Sequence, residues 1–356
     1  MAGRRQDLIV QVEADPAYEF FLSLCVFSDS DSPWQPYEVG KAWFEAIRTK
    51  LSPALLETIE HFSFQSHEMW GPLLALGYTC PPPRDVPTLL AYLESIDPLE
   101  LRLHLLGYYM RQHRRTTPSE VIYAAARGDG EAQRTLLRTS FPEDTRWQKT
   151  LRGILSLDAA AVKERLLDIV KGWYDEVFRE QEPQILPILA GDVEAKRALQ
   201  ATHSPEQLIE MCTGWEYVPE PGIRRVLLIP SYVTRPLNSE AESGDTRLFF
   251  YPVADESLLA DASAPPAHLL RLAKALGDER RLRMLKMLAS ERYTLQELAD
   301  AFGVAKTTIH HHLIQLRSAG LVRMRVSDKR FSLRRYPIEH LAEWFRKYLG
   351  GPSQEE

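Results

Sequence analysis

Residues 294–322 read TLQELADAFGVAKTTIHHHLIQLRSAGLV, and this stretch decides the fold. Thr294 with Glu297 three residues on is a capping box, which gives a helix a defined start. Leu295, Leu298, Ala299 and Phe302 then line one face, and Gly303 ends the helix where a left-handed residue satisfies its last carbonyls. A second helix over 305–318 places Ile309, Leu313 and Leu316 on an inner stripe at i, i+4 and i+7. The opposite face carries Thr307, His310, His311 and Ile314, with Lys306 and Thr308 near the N-terminal end. Two helices joined by so short a turn, the second apolar inside and polar outside, form a helix-turn-helix. Its second helix has the layout needed to reach base edges and phosphates in a major groove.

On the C-terminal side, LVRMRV (321–326) and FSLRR (331–335) alternate apolar and basic residues, as a hairpin with one solvated face does. Ser327, Asp328, Lys329 and Arg330 lie between them, so the hairpin reads as a wing whose basic tip can lay a positive side chain on the DNA backbone or in a minor groove. A last helix over 338–349 carries Ile338, Leu341, Phe345 and Tyr348, with Trp344 beside them; this stripe suits a partner helix. On the N-terminal side, helices are expected at 268–276 and 278–289, after a linker over 256–265 that ends in Pro265-Pro266.

Charge supports this division. The chain of 356 residues has a net charge of −6, yet residues 268–349 hold 17 basic against 8 acidic residues, a net +9, leaving −15 for the rest. A basic module joined to an acidic body points to a polyanion that meets only the module, and nucleic acid is the obvious one.

Together these residues resemble the ArsR family of winged-helix regulators. The matching features are Leu272 to Asp278 (LAKALGD) with Arg280-Arg281, Glu297-Leu298-Ala299 before Gly303, the run Thr308 to Leu313 (TIHHHL), Leu316-Arg317, and Ala319-Gly320-Leu321-Val322. The resemblance implies a dimeric winged helix in which the first and last helices pair and the helix 305–318 reads a double-stranded operator as a repressor. Lys306, Thr307, Thr308, His310, His311, Arg317, Lys329 and Arg330 are the expected DNA-binding residues. Two positions depart from the family pattern. Ala305 stands where serine often caps the helix, removing about 1 kcal/mol of capping. The helix 294–302 holds no cysteine, so the metal sensing of some members is not inherited.

The three consecutive histidines are not a metal cluster, because adjacent helical residues diverge by about 100°. His312 is expected beside the core stripe, and His340 with Glu343 on a solvated face. No metal or cofactor is expected.

The first 210 residues or so read as a string of helices. Asp15-Pro16, Ser52-Pro53, Asp97-Pro98, Thr117-Pro118 and Ser204-Pro205 each put a capping side chain before a proline suited to the first helical turn. Residues 159–178 form a further amphipathic helix. IRRVLLIPSY (223–232) and TRLFFYPV (246–253) read as two strands joined by a long loop containing Asn238, Ser239 and Gly244-Asp245. Trp34, Trp43, Trp70, Trp147 and Trp173 are expected to fill a helical core. The expected architecture is mainly α: a helical body over 1–255 with a β element at about 215–253, then a winged helix-turn-helix over 266–350.

Cys25, Cys80 and Cys212 form no C-x-x-C pair and read as reduced, buried thiols. With no apolar run of about 18 residues and no secretory leader, a cytoplasmic protein with no membrane partner is expected. Nucleophile-elbow, zincin, P-loop and dinucleotide patterns are absent, so the chain is not expected to be an enzyme. The body reads as a sensing or oligomerisation domain, with the identity and even the existence of a small-molecule effector left open. The alternative is an enzymatic or protein-interaction body fused to the winged helix.

Overall fold

The computed structural model describes residues 8–29, 37–62, 66–258 and 265–350. The chain is mainly α and divides into two units: Met1–Val193 with Gly222–Pro252, and Glu194–Pro221 with Val253–Glu356.

The first unit is built around one helix, Pro16–Ser28, whose residues from Ala17 to Ser28 are all buried. PAYEFFLSLCVFS is apolar on every side, so other elements must surround it. Its one charged residue, Glu19, accepts the backbone N–H groups of Tyr232 at 3.1 Å and Val233 at 2.8 Å. Burial pushes the Glu19 carboxyl up to about 7.

Strands β1 (Ile9–Val12), β3 (Arg225–Ser231), β4 (Ser239–Ser243) and β5 (Thr246–Pro252) form a sheet in the order β1-β3-β5-β4. The first three strands are parallel, and β4 runs antiparallel to β5. The two strands read from sequence are β3 and β5, and both are buried almost throughout. The loop read between them is corrected: it contains β4, and Gly244 at φ +59 turns the chain from β4 into β5. Ser-Glu-Ala-Glu-Ser has little strand propensity, and pairing with β5 overrides it.

Helices begin at Pro16, Pro53, Pro98 and Pro205, four of the five sites, but the expected side-chain cap forms at Asp97 and Ser204 alone: Asp15 makes no cap bond and Ser52 donates to Glu176. At the fifth, the helix is Ser119–Ala126 and Pro118 takes the cap position, while Thr117 bonds Thr139 at 2.7 Å. The helix Ala159–Trp173 runs into one wide turn, Tyr174–Phe178, before Arg179–Gln200. That turn aims Glu176 at Ser52, whose N–H and hydroxyl donate to it at 2.7 and 2.9 Å, so Glu176 serves the start of Pro53–Phe62. Trp147 and Trp173 are fully buried, with indole N–H groups on Ser140 and Ser23 at 2.9 Å each. Trp70 is also in the core and Trp43 packs against it, whereas Trp34 lies outside the described residues. Cys25, Cys80 and Cys212 are buried and in no disulfide.

The second unit holds the helices Pro205–Thr213, Ala267–Leu276, Glu279–Ser290, Leu295–Phe302, Lys306–Ser318 and Tyr336–Tyr348. Its sheet has the order β2-β6-β7, with β2 (Trp215–Glu216) parallel to β6 (Val322–Arg325) and β7 (Phe331–Leu333) antiparallel to β6. The β element expected over 215–253 is therefore not one piece. Its first two residues pair with the wing, and residues 194–221, expected in the body, belong to the second unit. Residues 259–264 of the expected linker lie outside the described residues. Among the described residues, no helix is long and apolar enough to cross a membrane.

Candidate nucleic-acid interface

The helix-turn-helix forms as its sequence dictates. Thr294 N–H donates to Glu297 Oε2 at 2.7 Å, and Glu297 N–H donates to Thr294 Oγ1 at 3.2 Å, so the capping box closes. Gly303 ends Leu295–Phe302 at φ +63. Lys306–Ser318 follows from Ala305, which offers no side-chain cap. Ile309, Leu313 and Leu316 are buried, and His312 beside them is buried too.

The expected reading face divides in two. Lys306, His310, Ile314 and Arg317, at i, i+4, i+8 and i+11, share one stripe and line a groove of about 370 Å³. Lys329 of the wing lines the same groove. Lys306, Thr307 and His310 are exposed, and Thr308 is half-buried. His311 turns the other way, with Nε2 on Gln315 Nε2 at 2.9 Å. Gln315 Oε1 in turn accepts from Arg281. Burial and the Arg281 charge hold His311 below the ordinary histidine range.

Arg281 is a residue whose role the sequence pattern did not reveal. It donates to the Ala275 carbonyl at 2.7 Å and the Lys274 carbonyl at 2.8 Å, closing the end of Ala267–Leu276, and reaches the second helix through Gln315. Its backbone N–H is capped by Asp278 at 3.0 Å. Its place in the Arg280-Arg281 pair was the only available signal.

The wing tip is ordered by local bonds. Arg330 N–H donates to Asp328 Oδ1 at 3.2 Å, and Lys329 N–H to the Arg325 carbonyl at 2.9 Å. Lys329 is exposed with φ +54. Arg330, read from sequence as a backbone or minor-groove contact, instead donates both terminal nitrogens to Glu297, at 2.9 and 2.8 Å, and one to the Arg292 carbonyl at 2.8 Å. Arg317 places its guanidinium 5.5 Å from the centre of the Trp215 ring.

On Tyr336–Tyr348, Ile338, Phe345 and Tyr348 are 45%, 49% and 41% exposed, and Leu270 of Ala267–Leu276 is 43% exposed. Trp344 meets His268 ring to ring at 5.2 Å, holding the first and last helices of the expected domain side by side. These two helices therefore expose large apolar side chains to solvent. His340 is half-buried and Glu343 exposed.

The family model described as "Bacterial regulatory protein, arsR family" matches residues 278–324, from the Asp278 cap to Met324 in β6. No curated protein and no solved structure matches the chain.

Proposed function

We propose that the chain is a DNA-binding transcription regulator, acting as a homodimeric repressor on a pseudo-palindromic operator; the match of residues 278–324 to the ArsR-family model supports this reading. The helix 305–318 reads the major groove with Lys306, Thr307, Thr308 and His310. The wing contributes Lys329 to the backbone. The observation that carries this reading is that Lys306, Thr307 and His310 are exposed on Lys306–Ser318 while Ile309, Leu313 and Leu316 are buried, with Lys329 of the wing exposed on the same groove as Lys306 and His310.

Dimerism rests on the apolar surface of Ala267–Leu276 and Tyr336–Tyr348. A twofold dimer presents two reading helices, which calls for an inverted repeat. The first unit is proposed as a sensing or oligomerisation body with no catalytic role. An effector acts there only by binding one DNA-binding state better than the other. The place of action is the cytoplasm, where the operator is.

Selection from a random duplex pool at near-physiological salt tests the reading. An enriched inverted repeat supports it, and repression of a reporter carrying that repeat supports the sign. No enrichment from the full chain sinks the regulator reading.

A further inference from the structure

Strand β2 brings acidic side chains from far along the chain onto three arginines of the DNA-binding unit. Glu216 Oε2 accepts from Arg292 Nη1 at 2.9 Å and lies 3.8 Å from Arg323 Nε. Glu216 Oε1 accepts from Arg325 Nε at 3.2 Å. Glu210, on Pro205–Thr213, accepts from Arg323 Nη1 at 2.8 Å. The backbone fixes this placement: Glu216 is in register with Arg325, and Val326 N–H donates to the Glu216 carbonyl at 3.1 Å. Burial alone raises the Glu216 carboxyl, but the Arg292 hydrogen bond and the Arg325 and Arg323 charges override it and hold the group below the ordinary carboxylate range.

The three arginine side chains are 34%, 31% and 29% exposed. Pairs so far withdrawn from water are screened by salt less than fully exposed ones, so they hold at physiological ionic strength. Arginines on a DNA-binding unit otherwise neutralise phosphates, and phosphate neutralisation gives affinity without regard to sequence. Specificity is the difference between operator and non-operator affinity, so removing non-specific attraction raises it.

We infer that Glu216, seconded by Glu210, is a specificity-determining residue: an internal counter-anion that withholds Arg292, Arg323 and Arg325 from the phosphate backbone. The inference rests on the DNA-binding reading above. Its chemistry is that of a carboxylate standing where a phosphate otherwise stands. It leaves Lys329 and the stripe on Lys306–Ser318 to make the contacts that depend on register.

The test uses the full chain, with Glu216→Gln, Glu210→Gln and the triple variant Glu216→Gln/Arg292→Gln/Arg325→Gln, which removes the two arginines that donate to Glu216. Binding to the selected operator and to a random duplex is measured from 50 to 200 mM salt, with thermal melting as the fold control. Wild type binding neither duplex sinks the DNA-binding reading itself. With wild type binding, Glu216→Gln is expected to tighten random-duplex binding about tenfold and steepen the log K against log salt slope by about 1 to 2. Operator affinity rises less, so the ratio between them falls. The triple variant returns the slope to the wild-type value. Glu210→Gln, which leaves the β2 pairing untouched, shows the same trend to a smaller degree and decides the matter if Glu216→Gln melts. Unchanged slopes and unchanged or weaker random-duplex binding in the folded variants overturn the inference and leave Glu216 as a brace for the sheet alone.

Discussion

Arg330 grips Glu297 with two parallel hydrogen bonds, at 2.9 and 2.8 Å, so the wing tip is tied to the capping box that starts Leu295–Phe302. Wing orientation and helix-turn-helix orientation are thereby one mechanical element. The two adjacent basic residues of the tip, which look equivalent in sequence, have different partners and different consequences.

Lys329→Asn, which keeps a side chain tolerant of the left-handed backbone, is expected to weaken all duplexes alike and flatten the salt slope by about 0.9. Arg330→Gln is expected to lower operator affinity more than random-duplex affinity, with the slope unchanged, because its charge is already matched by Glu297. Filter binding across salt concentrations separates the two. Equal slope changes in both variants contradict the assignment.

His310 and His311 make a second contrasting pair. His310 is exposed on the groove stripe, and His311 is engaged with Gln315. Repeating the duplex selection with His310→Ala is expected to change the enriched sequence. His311→Ala keeps the same sequence preference and costs about 1 kcal/mol of stability through the lost hydrogen bond. A changed preference from His311→Ala places the reading face elsewhere.

The exposed apolar side chains of Ala267–Leu276 and Tyr336–Tyr348 predict self-association. Phe345→Glu, alone or with Ile338→Glu, is expected to give a monomer by sedimentation equilibrium at micromolar concentration, and to bind a half-site as well as the full repeat. Both positions are about half exposed, so the fold survives the change. A Phe345→Glu/Ile338→Glu protein that remains dimeric moves the interface off these helices.

In the first unit, burial holds His104 and His113 down to about 4 and pushes Glu19 and Glu68 up to about 7. A depressed histidine gives stability that is full above about 6.5 and lost as pH falls toward about 4. A raised carboxyl gives stability that is full below about 4.5 and lost as pH rises through about 7. Across pH 4.5–6.5 the two histidines and two carboxyls exchange protons in opposite senses on unfolding, so their contributions cancel. Glu19→Gln removes one of the two carboxyls and leaves a net difference of one proton. Stability of this variant, from urea titrations followed by near-ultraviolet circular dichroism, is expected to climb by about 1.4 kcal/mol per pH unit over that window relative to wild type. A parallel pH dependence in the two proteins refutes the assignment.

Much of the DNA-binding unit was legible in the sequence because its signals are local. The Thr294–Glu297 box, the Gly303 stop, the missing cap at Ala305 and the inner stripe of Ile309, Leu313 and Leu316 depend on hydrogen bonds and periodicities spanning a few residues. The same holds for the helices beginning at Pro98 and Pro205, whose starts Asp97 and Ser204 cap. Tertiary structure alone decided which charges are taken and which strands meet. Glu216 finds Arg325 through a parallel pairing of Trp215 with Met324, and β1 finds β3 through Ile9 with Arg225. Neither alternation nor propensity marks such partners, because a parallel pair is closed by everything folded between its strands. A count of basic residues likewise gives the sign of the surface but not its availability: Arg281, Arg292, Arg323, Arg325 and Arg330 all add to the positive total, and each is held by a group that only the folded chain brings within hydrogen-bond reach.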